Sequence, residues 1–83
     1  MNTAVLDHKA DQFDLVLEVH QAERMQDGSL HLIAPNGQLL GTLGQYDGQY
    51  EYHSTIESDG DRLHLEIPVE VAEGFIEEVE IAE

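Results

Sequence analysis

The chain has 83 residues, 41% of them hydrophobic, with eighteen Asp and Glu against three Lys and Arg, a formal net charge of −15. That length allows one modest core, and that charge opposes compaction and disfavours direct binding to nucleic acid or to an anionic membrane. The absence of cysteine from the sequence rules out a disulfide framework and any thiolate metal site.

Residues 1–12 mix Val5 and Leu6 with Asp7, His8, Lys9 and Asp11 without a clean period, and read as an N-terminal arm ahead of a single acidic domain over 13–83. This stretch lacks a basic segment followed by a long apolar run, so no secretory leader is expected. No stretch reaches the roughly 18 apolar residues of a membrane span. The expected setting is the cytoplasm, that of a host cell if a virus encodes the chain.

Phe13, Leu15, Leu17 and Val19 alternate with Asp14, Val16, Glu18 and His20, the period-two pattern of a half-buried strand, and this strand is expected to run toward Met25. Asp27-Gly28 follows, a hairpin signal of the type I′ kind, in which both central residues take positive φ. Leu30, Leu32 and Ala34 make the next strand, closed by Pro35-Asn36-Gly37. The run from Leu39 to Tyr46 is interrupted by Gly41 and Gly44, where a bulge or bend is expected. Asp47-Gly48 turns the chain again. Beyond it, Tyr50, Tyr52, Ser54 and Ile56 share one face and Glu51, His53, Thr55 and Glu57 the other.

After a further turn at Ser58-Asp59-Gly60-Asp61, the stretch from Leu63 to Ile81 alternates apolar residues with Glu66, Glu70, Glu78 and Glu80, and from Glu66 to Glu83 it holds no Lys or Arg. Pro68 cannot donate a ladder hydrogen bond, so it marks an edge, a bulge or a passage between sheets. Residues 69–79 also fit a helical step. The strand reading is preferred because Gly74 sits mid-segment among β-branched residues. The fold class expected is all-β, a small antiparallel meander of five to six strands forming a barrel or compact two-layer sandwich, with an α+β arrangement as the alternative if 69–79 is helical.

Several constellations bear on chemistry. His20, His31, His53 and His64 alternate away from the apolar set, beside Glu18, Glu51 or Glu66. Adjacent strands would let two or three imidazoles meet and take zinc or nickel. No H-x-x-x-H or H-E-x-x-H spacing supports that, so they read as separate solvated histidines, and no metal or other cofactor is expected. Asp59-Gly60-Asp61 is similar to a fragment of a calcium loop, but a strand begins within two residues, so it reads as a hairpin turn. The serines and threonines have no nucleophile-elbow or phosphate-loop neighbourhood, and no enzyme activity is expected.

The anionic C-terminal segment is the remaining candidate. Residues Gly28 to Tyr46 contain no acid, whereas the last eighteen residues contain seven. On a strand, alternate carboxylates would stand about 6.6 Å apart, comparable with phosphates along a nucleic-acid strand. The expected partner is therefore a basic protein surface, that of a nucleic-acid-binding protein or complex, contacted by Glu66, Glu70, Glu73, Glu77, Glu78 and Glu80 with Tyr50 and Tyr52 as aromatic anchors. Small acidic proteins of phages and mobile elements that counter restriction or CRISPR systems act in this way, and the chain is similar to them in composition only. The alternative is a structural or assembly module that oligomerises, as a homodimer for example, through an edge strand.

Overall fold

The computed structural model describes residues 3–9, 14–58 and 61–82. These residues form β1 (Ala4–Lys9), β2 (Asp14–Val19), β3 (Gln21–Arg24), β4 (Leu30–Ile33), β5 (Leu39–Tyr46), β6 (Gln49–Ser58), β7 (Asp61–Ile67), α1 (Val69–Glu78) and β8 (Ile81–Ala82). β1 and β2 pair as a two-stranded ribbon, and the other strands make one six-stranded sheet in the order β7-β6-β5-β4-β3-β8. Pairing is antiparallel except between β3 and β8. The β-dominated fold matches the expectation. Among the described residues the sheet stays open, with β7 and β8 at its two edges, and does not close into a barrel. Among the described residues no helix is long and apolar enough to cross a membrane.

Two local readings are corrected at the N-terminal end. Ala4–Lys9 is a strand and not an irregular arm: Ala4 and Leu6 are buried opposite Val19 and Leu17, while Val5 and Asp7 face out. Its period shows only once a partner strand supplies the other half of the apolar layer. The long strand expected to continue toward Met25 bends at His20. β2 belongs to the ribbon and β3 to the larger sheet, with the His20 N–H donating to the Ile33 carbonyl at 2.8 Å.

The turns follow their side chains. At Asp47-Gly48 both residues have positive φ, 51° and 80°, as a two-residue type I′ hairpin requires. Asp27-Gly28 differs: only Gly28 has positive φ, and the Met25 N–H reaches the Ser29 carbonyl at 2.9 Å across a three-residue loop. In this loop the Asp27 Oδ1 accepts from the Ser29 N–H at 2.9 Å and the Ser29 hydroxyl at 2.6 Å, an Asx turn. The loop at Pro35-Asn36-Gly37 repeats the device, with Asn36 Oδ1 accepting from the Gln38 N–H at 2.9 Å.

One corner of the sheet is irregular on two neighbouring strands. Leu32 pairs with Gly41 and Ile33 with Leu39, which leaves Leu40 as an extra residue on β5, the bulge expected near Gly41. The carbonyls freed there accept from β6 side chains: the Tyr52 hydroxyl donates to Leu40 at 3.0 Å, and the Thr55 hydroxyl to Leu39 at 2.8 Å and Leu40 at 3.1 Å. A Cβ on Gly41 would collide with the His53 carbonyl and come within 2.7 Å of the Tyr52 ring.

Residues Val69–Glu78 are helical, the alternative and not the preferred strand. Ala72, Phe75, Ile76 and Val79 fall at i, i+3, i+4 and i+7, one helix face, and Ala72, Phe75 and Val79 are buried in the same cluster as Leu6, Leu32, Leu43, Tyr52 and Ile67. Pro68 ends β7 and caps the helix, its carbonyl accepting from the Ala72 N–H at 3.0 Å. At a helix start its missing N–H costs nothing. The exposed Gly74 has only open space around it, so it weakens the helix without breaking it. The helix packs on β1 and β6, and the ribbon and α1 together cover the inner face of the six-stranded sheet.

Opposite outcomes are expected at the two glycines. Gly41→Ala should cost about 1–3 kcal/mol through overpacking, and Gly74→Ala should gain about 0.5–1 kcal/mol, both read from urea unfolding. The Ser29 hydroxyl and N–H hold the Asp27 carboxyl below its usual range, so its charge stabilises the fold above the unfolded value of about 3.9 and that contribution is lost as pH falls through the lower folded value. Asp27→Asn keeps the acceptor oxygen and removes the titration. The gap in melting temperature between wild type and variant should therefore narrow as pH falls below the unfolded value of about 3.9.

Candidate functional site

Strand alternation leaves the outer face of the six-stranded sheet polar. Glu23, His31, Thr42, Tyr46, Glu51, His53, His64 and Glu66 all face this side and are half-buried or exposed. At its β6–β7 end three of them converge. His53 stands directly opposite His64, and Glu51 lies two residues along β6, opposite Glu66. The Glu51 Oε1 accepts from His64 Nε2 at 2.9 Å and from His53 Nε2 at 3.2 Å. The two imidazoles stack with centroids 4.1 Å apart and planes 21° from parallel. Tyr46 meets the edge of His53 at 6.4 Å, its ring lying close over Gly44. The hydrogen bonds from His64 and then His53 hold the Glu51 carboxyl below the usual carboxylate range. Two imidazoles and one carboxylate are the donor types that divalent transition metals take. Separate solvated histidines were the sequence expectation, and for His53 and His64 that is overturned. His31 lies on the same face opposite Thr42, and His20 sits at the bend between the sheets.

The acidic set is divided. Glu66 is on the outer sheet face, Glu80 is exposed just beyond α1, and Glu83 is outside the described residues, as is the Asp59-Gly60 turn. Glu70, Glu73, Glu77 and Glu78 lie on α1, all exposed. At 3.6 residues per turn, Glu70, Glu73 and Glu77 span about 60° of the helix circumference, opposite the roughly 60° of Ala72, Phe75 and Val79. The expected 6.6 Å strand ladder is therefore replaced by a stripe rising about 4.5 and 6 Å between successive carboxylates. Glu70 in the first turn complements the helix dipole, whereas Glu77 and Glu78 oppose it in a last turn that holds no basic residue.

The aromatic anchors are also reassigned. Tyr52 is 2% exposed in the core, where burial raises its phenol above the ordinary value, so it is unable to meet a partner. Tyr50 is half-buried against the same core. Tyr46, which points to the opposite face, is 51% exposed.

Comparison of the chain with protein-family models, with curated proteins and with solved structures finds no match.

The last-turn acids carry a measurable cost. Replacing Glu77 and Glu78 together by Gln should raise the melting temperature at low ionic strength. The gain should shrink as salt approaches about 1 M, where the Debye length falls to about 3 Å. A thermal melt series in NaCl gives the answer directly.

Proposed function

We propose that this is a non-enzymatic binding protein that offers the carboxylate stripe of α1 to a basic, nucleic-acid-handling protein and blocks that partner's nucleic-acid site, acting in the cytoplasm. The observation that supports this reading is the sorting of α1. Its apolar face is locked into the core while Glu70, Glu73 and Glu77 stand together on the solvent face, and Glu77 and Glu78 sit where they destabilise their own helix. An ordered helix holds these charges in one geometry, so a partner's Lys and Arg meet a preformed array and association is steered by long-range attraction.

The assembly reading has its own support, because the outer edge of β7 has no strand partner among the described residues. Like charge at −15 works against pairing two copies there, and Glu66 adds to that repulsion.

One experiment separates the two. Wild type and a Glu70→Gln/Glu73→Gln/Glu77→Gln variant are immobilised, loaded with host extract at low ionic strength, and challenged with salt and with duplex DNA or RNA. The binding reading expects a basic protein that nucleic acid displaces and the variant fails to hold, and whose nucleic-acid binding the free wild-type chain inhibits. Retention that survives the triple substitution, or that nucleic acid does not contest, removes it. Self-association in sedimentation that is equal for both chains identifies an assembly module instead.

A further inference from the structure

We propose that Glu51, His53 and His64 form a binding site for one divalent late transition-metal ion, zinc, nickel or copper, on the outer face of the sheet across the β6–β7 pair. This site is independent of the acidic helix, which lies against the opposite face.

The donor set selects the class of ion. Two imidazole nitrogens and one carboxylate oxygen suit zinc, nickel and copper, whereas calcium and magnesium take oxygen ligands. The donor atoms all lie within 4.8 Å of one another. In a tetrahedral site with bonds of about 2.0–2.1 Å, donors stand about 3.3 Å apart. The two Glu51–histidine separations, 2.9 and 3.2 Å, already match that spacing. The two imidazole nitrogens need to approach one another by about 1.5 Å at most.

The donors sit on paired extended backbone, and each is held by a neighbour. His53 is flanked by the Tyr46 edge and the His64 ring, and rigidity of this kind is what a preorganised metal site requires. Both Nε2 atoms point at one carboxylate oxygen. On metal binding each ring carries its proton on Nδ1 and turns its Nε2 lone pair to the ion, which replaces two hydrogen bonds by three coordinate bonds. Glu66, opposite Glu51, and the net charge of −15 raise the local cation concentration. Three protein ligands leave at least one position for water or a further donor. The bound ion ties the edge strand β7 to β6, so it stabilises the folded chain by mass action.

The test uses the tag-free full chain, stripped with a chelator and titrated calorimetrically with zinc, nickel or copper chloride in a non-coordinating buffer. Expected are one ion per chain, a higher melting temperature and, with diamagnetic zinc, imidazole NMR shifts confined to His53 and His64 among the five histidines. His53→Gln and His64→Gln should each weaken binding about tenfold or more. His31→Gln, on the same face outside the cluster, should bind as wild type does. If a variant fails to fold by circular dichroism, the imidazole shifts of the wild-type chain decide. Absence of saturable binding, shifts at other histidines, or affinity unchanged in His64→Gln overturns the proposal.

Discussion

The fold depends on seating the apolar stripe of α1 against the inner face of the sheet. The helix follows β7 at one edge and leads into β8 at the other, where the Ala22 N–H reaches the Glu80 carbonyl at 2.9 Å. Its packing therefore fixes both ends of an open sheet at once. Magnitudes decide why a helix with so many like charges forms. Burying Phe75 and Val79 is worth about 1.5–3 kcal/mol each. An unfavourable pair such as Glu73 and Glu77 costs about 0.2–0.5 kcal/mol. The core wins by a margin that lets the solvent face of α1 carry Glu77 and Glu78, which work against folding.

The second constraint is the irregular corner formed by β5 and β6. From Glu57↔Arg62 to His53↔His64, β6 spends four residues where β7 spends two. Continuing the outer register without that shift would set His53 opposite Glu66 and Thr55 opposite His64. Because the offset is even, every side chain keeps its face, while its cross-strand partner changes. The same corner holds the Leu40 bulge, whose carbonyl is satisfied by Tyr52 and Thr55. The hydrogen bonds that stabilise one irregularity thus anchor the strand in which the other occurs. The Glu51–His53–His64 cluster is a product of that register.

What the sequence made legible follows from range. Alternation identified most strands, and the inward or outward side of the residues on β4 and of Tyr50, Glu51, Tyr52 and His53 on β6, because period two is a local property. The turn at Asp47-Gly48 was legible for the same reason. The helix was legible only as the alternative because Gly74 and the valines carry a local strand preference, and the tertiary contact of Phe75 with the core overrode it. β1 was missed because its apolar layer is completed only by β2. The histidine pair was beyond sequence reading in another way. The sequence placed both on one face, but Asp59-Gly60 implies an uninterrupted hairpin that sets them diagonally and not directly opposite one another. The register shift falls where Thr55 bonds the bulge carbonyls on the other side of β6, and no spacing within the β6–β7 hairpin encodes it.

The two surfaces also differ in what cations can do there. On α1, Glu70, Glu73 and Glu77 are solvated carboxylates on one helix face, so any cation gains the same screened attraction and none is selected. At the sheet face, the imidazoles add nitrogen donors brought together by the strand register, and discrimination between ions comes from ligand type and geometry more than from charge. Because the helix covers the inner side of the sheet and the histidines occupy the outer side, a protein docked on the stripe leaves the nitrogen donors accessible. The total charge of −15 serves both surfaces by concentrating cationic groups near the molecule. Under the two proposals the surfaces divide the work: the helix array would attract basic side chains by charge alone, and the register of β6 and β7 would set which metal ion the sheet face accepts.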